Sequence, residues 1–157
     1  MEKSMKKLMF VTVFTALVLA SAGVLAQSSE RSIAGAASGS LPAGTLLSGI
    51  PVSSVDVGTG VLIEADGSAS GWFHAVLRGE VNGQSRHLTI ETKVTQGTVA
   101  ENGTVTFSGS GTVDLGDGTP PIPVGYLNVA AGGGGLVLSI DAATLPVELN
   151  SGTVAVE

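Results

Sequence analysis

The chain has 157 residues, a formal net charge of −6 and no cysteine, which excludes disulfides and thiolate chemistry. Its hydrophobic content of 43% suffices for one folded core, and its seven basic residues are too few to suit a nucleic-acid partner. We therefore expect a single acidic domain.

Residues 1–26 have the three-part layout of a secretory signal peptide. Lys3, Lys6 and Lys7 precede an apolar run over residues 8–20, and small residues lead to a predicted cleavage site near Ala26. A retained anchor is the alternative, but the run is shorter than the roughly 20 residues of a membrane-spanning helix. We expect a secreted protein, extracellular or periplasmic, with a signal of bacterial type and no membrane span after cleavage.

Cleavage would change the charge balance of the chain. It removes three lysines and one glutamate, which leaves four basic and twelve acidic residues and a net charge of −8. The four basic residues are Arg31, Arg78, Arg86 and Lys93. Four cations are too few to neutralise many phosphates. We therefore expect neither nucleic acid nor an anionic membrane as a partner of the mature domain.

The remaining sequence divides into a leader and one all-β domain. Residues 27–45 are small, polar and glycine-rich, which predicts a flexible leader. Residues 46–157 alternate with a period of two, and this pattern predicts a single β-domain. The predicted strands are 46–57, 59–65, 69–81, 84–95, 98–100, 104–114, 122–130, 136–141, 144–149 and 153–156.

The clearest local signal is a hairpin centred on Asn82-Gly83, a dipeptide suited to a two-residue type I′ turn. Its register sets Trp72 opposite Lys93 and His74 opposite Glu91, on a polar face. The other face is apolar and holds Phe73, Leu77, Ala75, Leu88 and Ile90.

The next segment repeats this alternation after a turn that ends at Gly103, with Val99 predicted to meet Val105. A bulge near Gly97 would reconcile the parity of the two strands. Inward glycines in long strands, at positions 71, 79, 109 and 111, indicate a sheet that coils on itself. These features favour a small antiparallel meander barrel, with a two-sheet β-sandwich as the alternative.

The polar face of the hairpin gathers the unusual side chains and is the candidate binding surface. It holds the chain's only Trp, both histidines and the only lysine that survives cleavage. We expect a cation–π contact between Trp72 and Lys93 and a hydrogen bond between His74 and Glu91. An ordinary solvated sheet face explains the same pattern. The candidate binding residues are Trp72, His74, Arg78, His87, Glu91 and Lys93.

The sequence offers little to support a metal or catalytic centre. His74 and His87 lie four rungs apart, about 13 Å, so they cannot share a zinc ion, and no G-x-S-x-G motif occurs. Asp114 and Asp117 flank a glycine turn and are candidate calcium ligands, although turn formation explains them equally well. We expect no cofactor and no enzymatic activity.

A secreted binding module for a polysaccharide or a cell-surface partner is the leading functional hypothesis. A calycin-like barrel that carries a small apolar ligand is the first alternative, and it requires a hollow interior. A hydrolase built on His74 and Glu91, or a structural secreted protein of unknown function, are the others.

Overall fold

The computed structural model describes residues 30–157, so the predicted signal peptide and its cleavage site lie outside the described residues. Residues 30–157 contain no helix long and apolar enough to cross a membrane. The described part of the chain is all-β. Its strands are β1 (Arg31–Ser40), β2 (Leu46–Leu47), β3 (Ile50–Ile63), β4 (Ser68–Val81), β5 (Gln84–Val99), β6 (Val105–Asp114), β7 (Ile122–Gly132), β8 (Gly135–Ile140) and β9 (Ala143–Val156).

Eight of these strands form a closed antiparallel barrel. Strands β3 to β9 follow one another as a meander, and β1 pairs with both β9 and β3, which closes the wall. The short strand β2 pairs with β3 alone and lies outside the closed ring. The predicted meander barrel is confirmed, and the sandwich alternative is not the fold of this chain.

The structure differs from the predicted leader at β1. Residues 31–40 pair along their whole length with β3, and Ile33 is fully buried, so the prediction of a flexible segment is wrong there. The segment has little apolar surface of its own. Two flanking ladders satisfy its backbone hydrogen-bonding groups instead, which lets an Ala- and Gly-rich sequence serve as a wall strand.

Several strand boundaries also differ from the predicted ones. The predicted break at Gly58 does not exist, because β3 runs unbroken through it, and the break occurs at Ser48-Gly49, where both residues have positive φ. The predicted strands 98–100 and 153–156 are continuous with β5 and β9. The extra residue between β5 and β6 is Thr95, two positions before Gly97, where a bulge was expected.

The Asn82-Gly83 hairpin is confirmed in turn and register. Both turn residues have positive φ, 52° and 75°, as a type I′ turn requires. Strands β4 and β5 pair with Trp72 opposite Lys93 and His74 opposite Glu91. The predicted outer face is therefore assembled as the spacing implied.

The barrel interior is filled by apolar side chains. The largest, Phe73 and Phe107, stack at a tilt with ring centroids 5.8 Å apart. Gly109 and Gly111 allow β6 to approach β5 closely, because a Cβ at either position would overlap a β5 carbonyl oxygen. The close approach predicted for these inward glycines is confirmed. An eight-stranded barrel is just wide enough for side chains to fill or to hold one small ligand, and here buried apolar side chains occupy it.

Candidate functional site

The outer face of β4, β5 and β6 carries an open groove of about 690 Å³. Two rows of outward side chains, two residues apart along each strand, line it, and the backbone between the rows forms its floor. The first row is Trp72, Lys93 and Ser110, and the second row is His74, Glu91 and Thr112. We call this feature the β4–β6 groove. It brings together four of the six predicted binding residues.

Trp72 forms one end of the groove, and its indole ring lies over two glycines of β3. A Cβ built on Gly60 would lie 3.4 Å from Nε1, and one built on Gly58 would lie 3.5 Å from Cζ3. The absence of side chains at these two positions lets the ring pack directly on the strand. The side chain nevertheless remains exposed, at 54% of its maximum.

Because of this placement, the predicted cation–π contact between Trp72 and Lys93 does not form. Trp72 and Lys93 face each other in the ladder, but the indole leans toward β3, on the side of β4 opposite to β5. Within residues 30–157, no cation–π contact joins them. The glycines of β3 offer the ring a flat surface that the lysine side chain does not.

Lys93 is exposed beside Trp72 and has no ionic partner among the described residues. The other two basic side chains of β4 and β5 have carboxylate neighbours. Arg78 forms an ion pair with Asp56, and Arg86 Nη1 lies 3.8 Å from Asp117 Oδ2. The groove therefore contains a free ammonium group.

The predicted His74–Glu91 hydrogen bond is also absent. The two residues are ladder partners, His74 half-buried and Glu91 exposed, yet no ion pair within 4.0 Å joins them in the described part of the chain. Adjacent register alone does not orient an imidazole toward a carboxylate. Both groups remain available to a ligand.

Arg78 and His87 share the outer face but lie outside the groove. They are ladder partners four residues along β4 from His74, about 13 Å away at strand spacing, as predicted for the separation of the two histidines. The Arg78 partner Asp56 also accepts a hydrogen bond from Ser38 Oγ at 2.6 Å. The predicted six-residue surface therefore divides into a groove and a separate ion-pair cluster.

The sequence-based candidate site lacked the contribution of β6. Thr and Ser occupy alternate positions from 104 to 112, which places Ser110 and Thr112 on the outer face, and Val99 was correctly paired with Val105. Extending that register past the Thr95 bulge would have placed both hydroxyls beside Lys93 and Glu91. The supporting role of Gly58 and Gly60 left no such signal, because the β3–β4 register was not assigned.

The candidate calcium ligands are engaged in two separate turns. Asp114 Oδ1 accepts the Gly116 N–H at 2.8 Å, and Asp117 Oδ1 accepts the Thr119 N–H at 2.9 Å. The Thr119 hydroxyl, its backbone N–H and the Arg86 charge hold the pKa of Asp117 below its ordinary value. No cluster of three metal-ligating side chains occurs within residues 30–157.

No protein-family model, curated protein or solved structure matches this chain.

Proposed function

We propose that this chain is an exported, non-enzymatic binding module that holds a saccharide in the β4–β6 groove. One observation carries the proposal. The exposed indole of Trp72 is supported from beneath by Gly58 and Gly60, and it borders a groove lined by polar side chains. A rigid aromatic surface beside hydrogen-bonding groups suits a sugar ring, which has an apolar face and a polar rim.

The polar complement of the groove supports this ligand class. Lys93 supplies N–H donors, Glu91 supplies acceptors, and Ser110 supplies a hydroxyl that can donate or accept. Sugar hydroxyls are themselves both donors and acceptors, so they can pair with each of these groups. The groove is open, which suits a polysaccharide that binds along the surface without being enclosed.

The number of acids in the groove supports a binding role over glycoside hydrolysis. Most glycosidases need two carboxyl groups flanking the scissile bond. Among the residues that line the groove, Glu91 carries the single carboxylate. A hydrolase built on His74 and Glu91 would also need the two side chains to act together, and they are not hydrogen-bonded.

The filled interior favours the outer surface over a carrier function. A calycin-like carrier needs an internal cavity for its ligand. Six side chains that would line such a cavity are buried together in one apolar cluster: Phe73, Leu77, Leu88, Ile90, Phe107 and Val113. We therefore propose the groove, and not the barrel lumen, as the ligand site.

The test compares Trp72→Ala with wild type for retention on a panel of immobilised polysaccharides. We expect wild type to be retained on at least one polysaccharide. On that polysaccharide, the retention of Trp72→Ala should be lower by a factor of about ten or more. His87→Ala is the matched control, since His87 is exposed on the same hairpin face outside the groove. Equal retention of wild type and Trp72→Ala, or no retention of wild type on any polysaccharide, would overturn the proposal.

A further inference from the structure

The distribution of positive charge singles out the groove. Residues 30–157 contain four basic and twelve acidic residues, a net charge of −8. Arg78 and Arg86 have carboxylate neighbours, and Arg31 is the first residue of β1, outside the groove. Of these four cations, Lys93 alone is both unpaired among the described residues and located in the groove.

The surroundings of Lys93 leave its ammonium group accessible to a ligand. The Trp72 ring leans away from it, over β3. Ser110 faces it from β6 and adds a hydroxyl donor to the same row. The charged neighbour within the groove is Glu91, two positions along β5, or about 6.6 Å at strand spacing.

We infer that the groove selects saccharides that carry a carboxylate, with the sugar ring on Trp72 and the carboxylate at Lys93 and Ser110. This inference rests on the proposed function and names its ligand class as uronates. A carboxylate has two acceptor oxygens, which an ammonium group and a neighbouring hydroxyl can share. The acidic surface elsewhere disfavours ligands of higher charge density, so one charge per sugar fits better than several.

The test uses oligomers of galacturonate, mannuronate and glucuronate, each beside its fully methyl-esterified form. Esterification removes the charge and keeps the sugar. For at least one pair we expect the acidic form to bind about 3- to 10-fold more tightly at low salt, as a partly exposed charged contact allows. The preference should shrink in 0.5 M NaCl, because salt screens exposed charges.

Substitutions separate this inference from the proposal beneath it. Lys93→Gln should abolish the preference, because it weakens binding of the acidic oligomer more than binding of the esterified one, while Lys93→Arg should retain the preference. Arg86→Gln is the matched control, because it makes the same charge change on the same strand outside the groove. It should leave the preference intact.

Each outcome bears on one of the two statements. Equal binding of acidic and esterified forms, or equal losses for both in Lys93→Gln, overturns the uronate inference alone if Trp72→Ala still abolishes binding. If no oligomer and no polysaccharide of the panel binds, or if Trp72→Ala binds like wild type, the proposed groove function itself is overturned.

Discussion

Two strand glycines, Gly58 beneath the Trp72 ring and Gly111 in the groove, should respond oppositely to the same substitution. A Cβ at Gly58 would make ordinary van der Waals contact with the Trp72 ring, at 3.5 and 3.7 Å. A Cβ at Gly111 would overlap the carbonyl oxygen of Glu91, a backbone atom that side-chain rotation cannot move. Neither glycine has a positive φ, so alanine is compatible with the backbone angles at both sites.

The expected magnitudes follow from these contacts. Replacing a strand glycine by alanine gains roughly 0.5–1 kcal/mol, because the unfolded chain loses conformational freedom. Gly58→Ala should therefore raise the free energy of unfolding by about that amount. Gly111→Ala has the same stabilising effect through the unfolded chain. Overpacking lowers its free energy of unfolding by about 1–3 kcal/mol at the same time, since β5 and β6 must separate. The difference between the two variants isolates that cost.

Equilibrium urea denaturation measures both free energies, and thermal melts should separate the variants by about 3–5 °C per kcal/mol. From the most to the least stable protein, the expected order is Gly58→Ala, wild type and Gly111→Ala. If Gly111→Ala were as stable as Gly58→Ala, the close β5–β6 approach described here would be incorrect.

Four further substitutions test other features. The Thr92 hydroxyl is buried and has no hydrogen-bond partner within residues 30–157, so Thr92→Val should raise the free energy of unfolding by about 1–3 kcal/mol. Thr59→Val should lower it by about 0.5–1.5 kcal/mol, because that hydroxyl donates a hydrogen bond; urea denaturation of both variants checks the contrast. The lowered pKa of Asp117 stabilises the fold above the ordinary carboxyl pKa, and this contribution is lost as the pH falls through the lowered value. Asp117→Asn should therefore melt below wild type at pH 7, and the difference should shrink as the pH falls below the ordinary carboxyl pKa; a constant difference would contradict this. Tyr126, 52% exposed on β7, lies at the bulge opposite Ser110 and beyond the residues that line the groove. Because only a longer ligand would reach it, Tyr126→Ala should weaken calorimetric binding of long oligosaccharides more than of disaccharides. An equal loss for both lengths would place Tyr126 outside the ligand path.

Short-range signals predicted the central part of the site. The Asn82-Gly83 turn has two residues, so one dipeptide determined the pairing of every residue from Trp72 to Lys93. Alternation then assigned inner and outer faces without further information. Four groove residues were found because they lie on two strands joined by that turn.

Long-range pairings could not be predicted in the same way. Strand β1 has a composition typical of disordered segments, and it becomes ordered through partners that lie at the far end of the chain and beyond β2. The indole position depends on the β3–β4 register, which crosses a longer loop containing Asp66 and Gly67. The sequence also does not determine in which direction a side chain leans within its row. The predicted Trp72–Lys93 cation–π contact and the predicted His74–Glu91 hydrogen bond were therefore wrong, although the register of both pairs was right.

The closure of the barrel by β1 has a topological consequence. Glu157 donates its backbone N–H to the Ser32 carbonyl oxygen at 2.8 Å, so both ends of the described chain meet at one rim. A ring of strands has no intrinsic first member. A circular permutant with residues 157 and 30 joined by a short linker, and new termini between Gly133 and Gly134, should keep the ladders intact and leave the groove unchanged.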